Sequence, residues 1–210
     1  MTGDETIRAF VAVWPSPEIA SLLGSAVLEF KKGLPGYRWV EPQNLHITLE
    51  FLGNVPRSGV TPIAGVLDEI ASRVAPFELA LGRPGTFGPR EKAKVLWVDV
   101  SDPERNLSRL ARDVVEGLKA LGFCPDKDFV AHLTLARKKT GGGGFVSSAG
   151  WQNLWDQKLK DLAVLATSAG KTGEEATWIV SSLTLVKSTL TPAGSQYEII
   201  HESGFAPVVP

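Results

Sequence analysis

The sequence predicts an α+β fold of two related strand–helix–strand lobes that share one cleft. Three observations carry that reading. A tetrapeptide occurs twice, as His46-Ile47-Thr48-Leu49 and His132-Leu133-Thr134-Leu135. Each copy follows an apolar run and an amphipathic stretch at nearly one interval, Phe10 lying 36 residues before His46 and Trp97 lying 35 before His132. A chain of 210 residues, 43% hydrophobic and 21% charged, is long enough to bury a real core within one bilobal domain.

The elements follow in order. Arg8 to Trp14 is a short apolar run closed by Pro15-Ser16-Pro17, which suits a buried strand and then a helix with Ser16 as N-cap and Pro17 at its first position. Ile19, Leu22, Leu23, Ala26, Val27 and Phe30 recur at helical spacing until Gly33 and Pro35 stop the helix. Tyr37 to Val40 reads as a short strand, and Glu41 to Asn44 as the turn that delivers the first His-x-Thr strand, residues 45–52. A second helix is expected over 60–74, a strand over 77–81, a Gly/Pro-rich loop over 82–89 and a strand over 94–100. Leu107, Leu110, Ala111, Val114, Val115 and Leu118 mark a third helix, which Gly122 ends, and the second His-x-Thr strand covers 129–136. Arg137-Lys138-Lys139 and four glycines read as a solvated loop, Trp151 to Leu165 as a helix and Trp178 to Lys187 as one strand. Tyr197 to His201 pairs with that strand across the turn 191–195, and the tail 206–210 is loose.

In an extended strand, side chains alternate faces, so the His and Thr of each copy point one way and their apolar neighbours the other. Ile47, Leu49 and Phe51 are then expected in a core, as are Leu133 and Leu135, while two imidazoles and two hydroxyls line the cleft. A single His-x-Thr is ordinarily a polar strand edge. Here, however, two of only three histidines stand in near-identical frames, Asn-Leu-His-Ile-Thr-Leu-Glu and Val-Ala-His-Leu-Thr-Leu-Ala. His201 has no threonine two residues later and is expected at the surface or a strand edge, apart from the chemistry.

The formal charge of −1 gives no polycationic character, so an anionic ligand has to be held by a local cluster. One cysteine, Cys124, excludes an internal disulfide and fits a reducing cytosol. The first residues lack a basic region followed by an apolar stretch, and no apolar run is long enough to span a membrane, so a soluble cytoplasmic protein is expected.

Two imidazoles facing one another can divide an in-line displacement, one taking a proton from the nucleophile and the other giving one to the leaving oxygen. Their reference pKa of about 6.5 suits both tasks. Thr48 and Thr134 can donate to phosphate oxygens, and Arg137, three residues after Thr134, can neutralise the remaining charge. No His-Glu-x-x-His, Cys-x-x-Cys or Gly-x-Ser-x-Gly pattern supports a catalytic metal or a serine hydrolase, and no cofactor is expected.

These motifs resemble the two-histidine phosphoesterase superfamily, and within it the RNA 2′,3′-cyclic phosphodiesterases first described as 2′,5′ RNA ligases. Arg8 to Ala12, Asn44 to Gly53, Val95 to Val98, Phe129 to Arg137 and Ser182 to Tyr197 carry the likeness. The resemblance implies two antiparallel sheets facing across a cleft, helices outside, and pseudo-twofold lobes. It also implies metal-free opening of a 2′,3′-cyclic phosphate to a 2′-phosphate, with 2′,5′ ligation as the reverse reaction. It makes His46 the proton donor and His132 the acceptor, with Thr48, Thr134 and Arg137 binding phosphate. The implied partners are RNA ends bearing a 2′,3′-cyclic phosphate, tRNA fragments among them, met by a monomer without a membrane. Ala131 departs from the proline that many relatives place before the second histidine. Residues 138–177 read as a glycine-rich insertion in the domain 1–210, either a lid or inert, the second being favoured. Two rival readings remain: a phosphodiesterase of a small cyclic nucleotide or ADP-ribose cyclic phosphate, and an RNA-end binding module without turnover.

Overall fold

The structure, a computed structural model, describes residues 5–124, 128–168, 176–191 and 194–207. The element order is β1 (Thr6–Val13), α1 (Pro17–Gly33), β2 (Tyr37–Trp39), β3 (Ile47–Pro56), α2 (Val60–Ala71), β4 (Phe77–Phe87), β5 (Val95–Ser101), α3 (Asn106–Lys119), β6 (His132–Lys138), α4 (Ser148–Ser168), β7 (Thr177–Val180), β8 (Ser182–Thr191) and β9 (Gly194–Gly204). Two antiparallel sheets hold the strands, one ordered β3-β1-β8-β9 and the other β2-β6-β5-β4-β7.

The expected repeat is present as β1-α1-β3 and β5-α3-β6, and in each the two strands pair antiparallel. The lobes are nonetheless interleaved, because β2 pairs with β6 in the second sheet while β8 and β9 complete the first. The sequence dictates β1 as a central strand. Its odd positions Ile7, Ala9, Val11 and Val13 enter the main core, and Phe10 and Ala12 join Val186 in a second, smaller cluster against Trp14 and Tyr197. Apolar side chains on both faces require cover on both sides. α1 begins as its sequence predicts, Ser16 Oγ accepting from the Ile19 N–H at 3.4 Å with Pro17 following, and buries Ile19, Leu23, Ala26, Val27 and Phe30. α2 packs on β8, β9 and α3.

Two expectations are corrected. Trp178 to Lys187 is two strands, β7 in the second sheet and β8 in the first, parted at Ser181, whose carbonyl accepts from Phe205 N–H at 2.8 Å. The sequence carries the sign of this: Trp178 and Val180 are buried at even positions, Leu183 and Leu185 at odd ones. The stretch 82–89 is mostly strand rather than loop, since β4 continues to Phe87 and pairs with β5 through Phe87↔Val95. Its glycine serves close packing, because a Cβ on Gly85 would overlap the indole of Trp97. The expected helix over 151–165 is present as α4, whose Trp151 and Trp155 are buried against Phe30. The basic run before α4 is tied down: Lys138 Nζ donates to the carbonyls of Gly36, Gly142 and Gly143, and Lys139 Nζ to that of Pro35. The turn centre 192–193, residues 169–175 and the tail end 208–210 lie outside the described residues.

Gly85→Ala should displace Trp97. We expect a loss of roughly 1–3 kcal/mol in urea unfolding, as for other overpacked cores. An unchanged midpoint would mean that the indole has room to move.

Candidate active site

Each motif histidine stands at the mouth of its strand, His46 just before β3 and His132 at the start of β6. Each ring is held the same way. His46 Nδ1 lies 2.8 Å from the carbonyl of Asn44, and His132 Nδ1 lies 2.7 Å from that of Val130. A carbonyl oxygen can only accept, so Nδ1 is the donor in both rings, and the neutral imidazoles keep the lone pair on Nε2. Aromatic rings complete the clamp. Phe10 stacks on His46 at 4.8 Å, with Tyr197 at 5.0 Å and Trp14 at 5.4 Å, while Phe87 at 4.9 Å and Trp97 at 5.8 Å flank His132. Trp14 is itself fixed, its indole N–H donating to Thr184 Oγ1 at 2.8 Å.

A β-bulge in each motif strand decides what else faces the cleft. In β6 the register Leu96↔Ala136 and Trp97↔Thr134 leaves Leu135 as an extra residue. Leu135 and Ala136 are therefore both buried, and Arg137 emerges exposed on the face of His132 and Thr134. Without the bulge its odd offset from Thr134 would turn it into the core. In β3 the register Val11↔Glu50 and Ala12↔Thr48 leaves Leu49 extra in the same way. Leu49 and Glu50 are buried, and Phe51 emerges 62% exposed, its ring 6.1 Å from that of Phe10. The sequence expectation placed Phe51 in the core; it belongs to the cleft, at the position that Arg137 holds in the other lobe.

Burial depresses both imidazoles. His46 is lowered from 6.5 to about 4, first by burial, with the positive charges of Arg137 and His132 adding to it. His132 is lowered too, again first by burial and then by Arg137, while Asp99, its cross-strand partner, pulls the other way. The fields of Arg137 and His132 at His46 join the two motifs electrostatically. Thr48 and Thr134 are half-buried, and neither hydroxyl has a partner among the described residues. The five site residues read from the sequence thus fall on, or in the case of His46 just before, one pair of facing strands, β3 and β6, which touch.

His201 lies elsewhere, on the edge strand β9, where its Nε2 is 2.7 Å from Asp68 Oδ1, the oxygen that also accepts from Ser203 Oγ at 2.6 Å. It ties β9 to α2. A cavity of about 700 Å³ lies between α1 and the 41–45 segment and meets the cleft at Trp14. Among the described residues Lys31 and Glu41 are the only charged groups that line it, so the paired motifs carry the candidate chemistry. Among the described residues, no three His, Cys, Asp or Glu side chains converge as metal ligands, and no helix is long and apolar enough to cross a membrane. The sequence reading missed the aromatic clamp, although the even positions Phe10, Ala12 and Trp14 of the first strand already place those rings on the histidine face.

Two sheets that bring one His-x-Thr each to a common cleft define a two-histidine phosphoesterase. The family profile of LigT-like phosphoesterases matches residues 13–97 and 98–197, and the chain belongs to that family. Among curated relatives, the RNA 2′,3′-cyclic phosphodiesterase of Aquifex aeolicus is 29% identical over 200 residues, 94% of this chain and 97% of the relative. That of Methanothermobacter thermautotrophicus is 30% identical over 91% of this chain and 95% of the relative. The protein of the same name from Geobacillus stearothermophilus is 37% identical over 67% of this chain, a match spanning 45% of its own length. The fold matches TT0787 of Thermus thermophilus, with a TM-score of 0.75 at 24% identity over 97% of this chain and 100% of that one. It also matches Escherichia coli LigT complexed with 3′-AMP, with a TM-score of 0.65 at 20% identity over 96% and 99%.

Proposed function

We propose that the protein hydrolyses RNA 2′,3′-cyclic phosphate ends to 2′-phosphates without a metal. The observation that supports this most is the matched clamp, which fixes both Nδ1 atoms on carbonyls and leaves two Nε2 atoms for proton transfer in one cleft. His132 takes a proton from water as the water oxygen bonds to phosphorus. The P–O3′ bond breaks, and His46 Nε2 protonates the departing 3′-oxygen, leaving a 2′-phosphate monoester and a 3′-hydroxyl. His46 can act as donor because the phosphodiester anion offsets Arg137 and restores the proton that burial disfavours; an imidazolium with a low pKa is also a strong acid. Thr48, Thr134 and Arg137 hold the non-bridging oxygens. With a 5′-hydroxyl in place of water, the same displacement forms a 2′,5′ linkage and frees the 3′-hydroxyl. The reading includes action as a monomer in the cytoplasm, on tRNA fragments among other RNA ends, in keeping with a single, exposed cysteine.

The test is an oligoribonucleotide ending in 2′,3′-cyclic phosphate, incubated with the protein in EDTA without any nucleoside triphosphate. A 2′-phosphate product at an undiminished rate is expected. Activity lost in EDTA and restored by zinc or manganese would overturn the mechanism, and a bound but unconverted RNA would make the protein an end-binding module.

A further inference from the structure

We propose that Arg38 forms a second phosphate site beside the first, for a phosphate on the 5′ side of the terminal ribose. This rests on the reading under Proposed function and names the substrate feature that the cleft selects. Arg38, in β2, pairs directly with Arg137 in β6, and residues opposite each other in an antiparallel ladder project from the same face. The flanking pairs confirm which face this is. Trp39 and its partner Ala136 are both buried, so Arg38 and Arg137 together face the cleft. Both are exposed, and neither has a hydrogen bond or an ion pair among the described residues.

Two like charges set directly opposite each other destabilise a sheet, so the pair is costly to the fold. An anion between or beside them reverses that sign. Arg137 emerges on the face of His132 and Thr134, which puts it beside the reacting phosphate. The Cδ of Arg38 lies 3.8 Å from the position of a Cβ on Gly194, at the start of β9, so its side chain reaches toward the facing sheet at one end of the cleft. Directly paired residues have Cβ atoms about 4.5–5.5 Å apart, and with two long side chains that spacing suits two phosphates separated by one ribose. The site takes either an internucleotide phosphate or a free 5′-phosphate. A nucleoside cyclic phosphate that lacks both leaves Arg38 unused.

The experiment measures kcat/KM for adenosine 2′,3′-cyclic phosphate, its 5′-phosphorylated form and the dinucleotide ApA 2′,3′-cyclic phosphate, in wild type, Arg38→Gln and Arg38→Lys. The two substrates with a 5′-side phosphate should be preferred in wild type, and Arg38→Gln should shrink that preference about tenfold, mainly through KM, with partial rescue by Arg38→Lys. The two arms separate the sources: preference for the dinucleotide alone assigns the site to the RNA backbone, and preference for both assigns it to any 5′-phosphate. The salt slope of log kcat/KM for the dinucleotide should fall by about 0.7 on losing one contact. The thermal midpoint should not drop, as it would if Arg38 were structural. An unchanged preference in Arg38→Gln overturns the inference while leaving the phosphodiesterase reading intact. Absence of turnover on all three substrates overturns that reading instead. In that case the affinities for adenosine 2′-phosphate and ApA 2′-phosphate, followed by tryptophan fluorescence, decide the inference by the same criterion.

Discussion

Replacing His46 or His132 with alanine is expected to lower kcat about 10²–10⁴-fold while leaving the protein folded, because general acid–base catalysis typically supplies that much. The structure shows why folding survives. Among the described residues each ring makes a single hydrogen bond, to a carbonyl two residues earlier, and lies among cleft-face rings outside the main core. His201→Ala is the contrast. It breaks a contact to Asp68 between β9 and α2 and should leave turnover within a few-fold. A loss as deep as that of His46→Ala would mean that the proton-transfer pair has been misassigned.

The second large effect belongs to Arg137. In the proposed mechanism it binds charge in both ground and transition states, so Arg137→Gln should raise KM and lower kcat together. A drop in kcat/KM of roughly 10²-fold is expected for the loss of charge-assisted hydrogen bonds. A second signature separates this role from general destabilisation. The Arg137 charge helps to hold both imidazoles below their ordinary value, so its removal favours their protonation and moves both limbs of the pH profile to higher pH. An Arg137→Gln variant with reduced kcat/KM and unmoved limbs would place the residue away from the histidines.

The sequence made the motif strands, the helices and the pairing of the lobes legible, because these follow from periodicity and from one repeated tetrapeptide. What it hid depends on breaks in that periodicity. Strict alternation sent Phe51 to the core, and only the extra residue at Leu49 brings it out. Arg137 was reached by proximity in sequence, yet strict alternation would have buried it, and the bulge at Leu135 is what delivers it to the cleft. Gly85 and Pro84 mimic a loop because composition alone cannot distinguish a turn glycine from one flattened beneath Trp97. Arg38 carries no local sign at all, since its meaning comes from a partner 99 residues away in the sequence.

The most direct measurement of the paired acid–base assignment is the pH profile of kcat/KM, taken where chemistry limits the rate. The free protein must hold one neutral and one protonated imidazole, and burial together with Arg137 pushes both below 6.5, His46 to about 4. At neutral pH both rings are then uncharged, so kcat/KM should rise as the pH falls from 7, pass through a maximum on the acid side of 6.5 and decline as the second ring protonates. Each single-histidine variant should lose one limb from its residual activity. A wild-type profile that is flat between about pH 5 and 8, the range in which histidines titrate, would contradict the account.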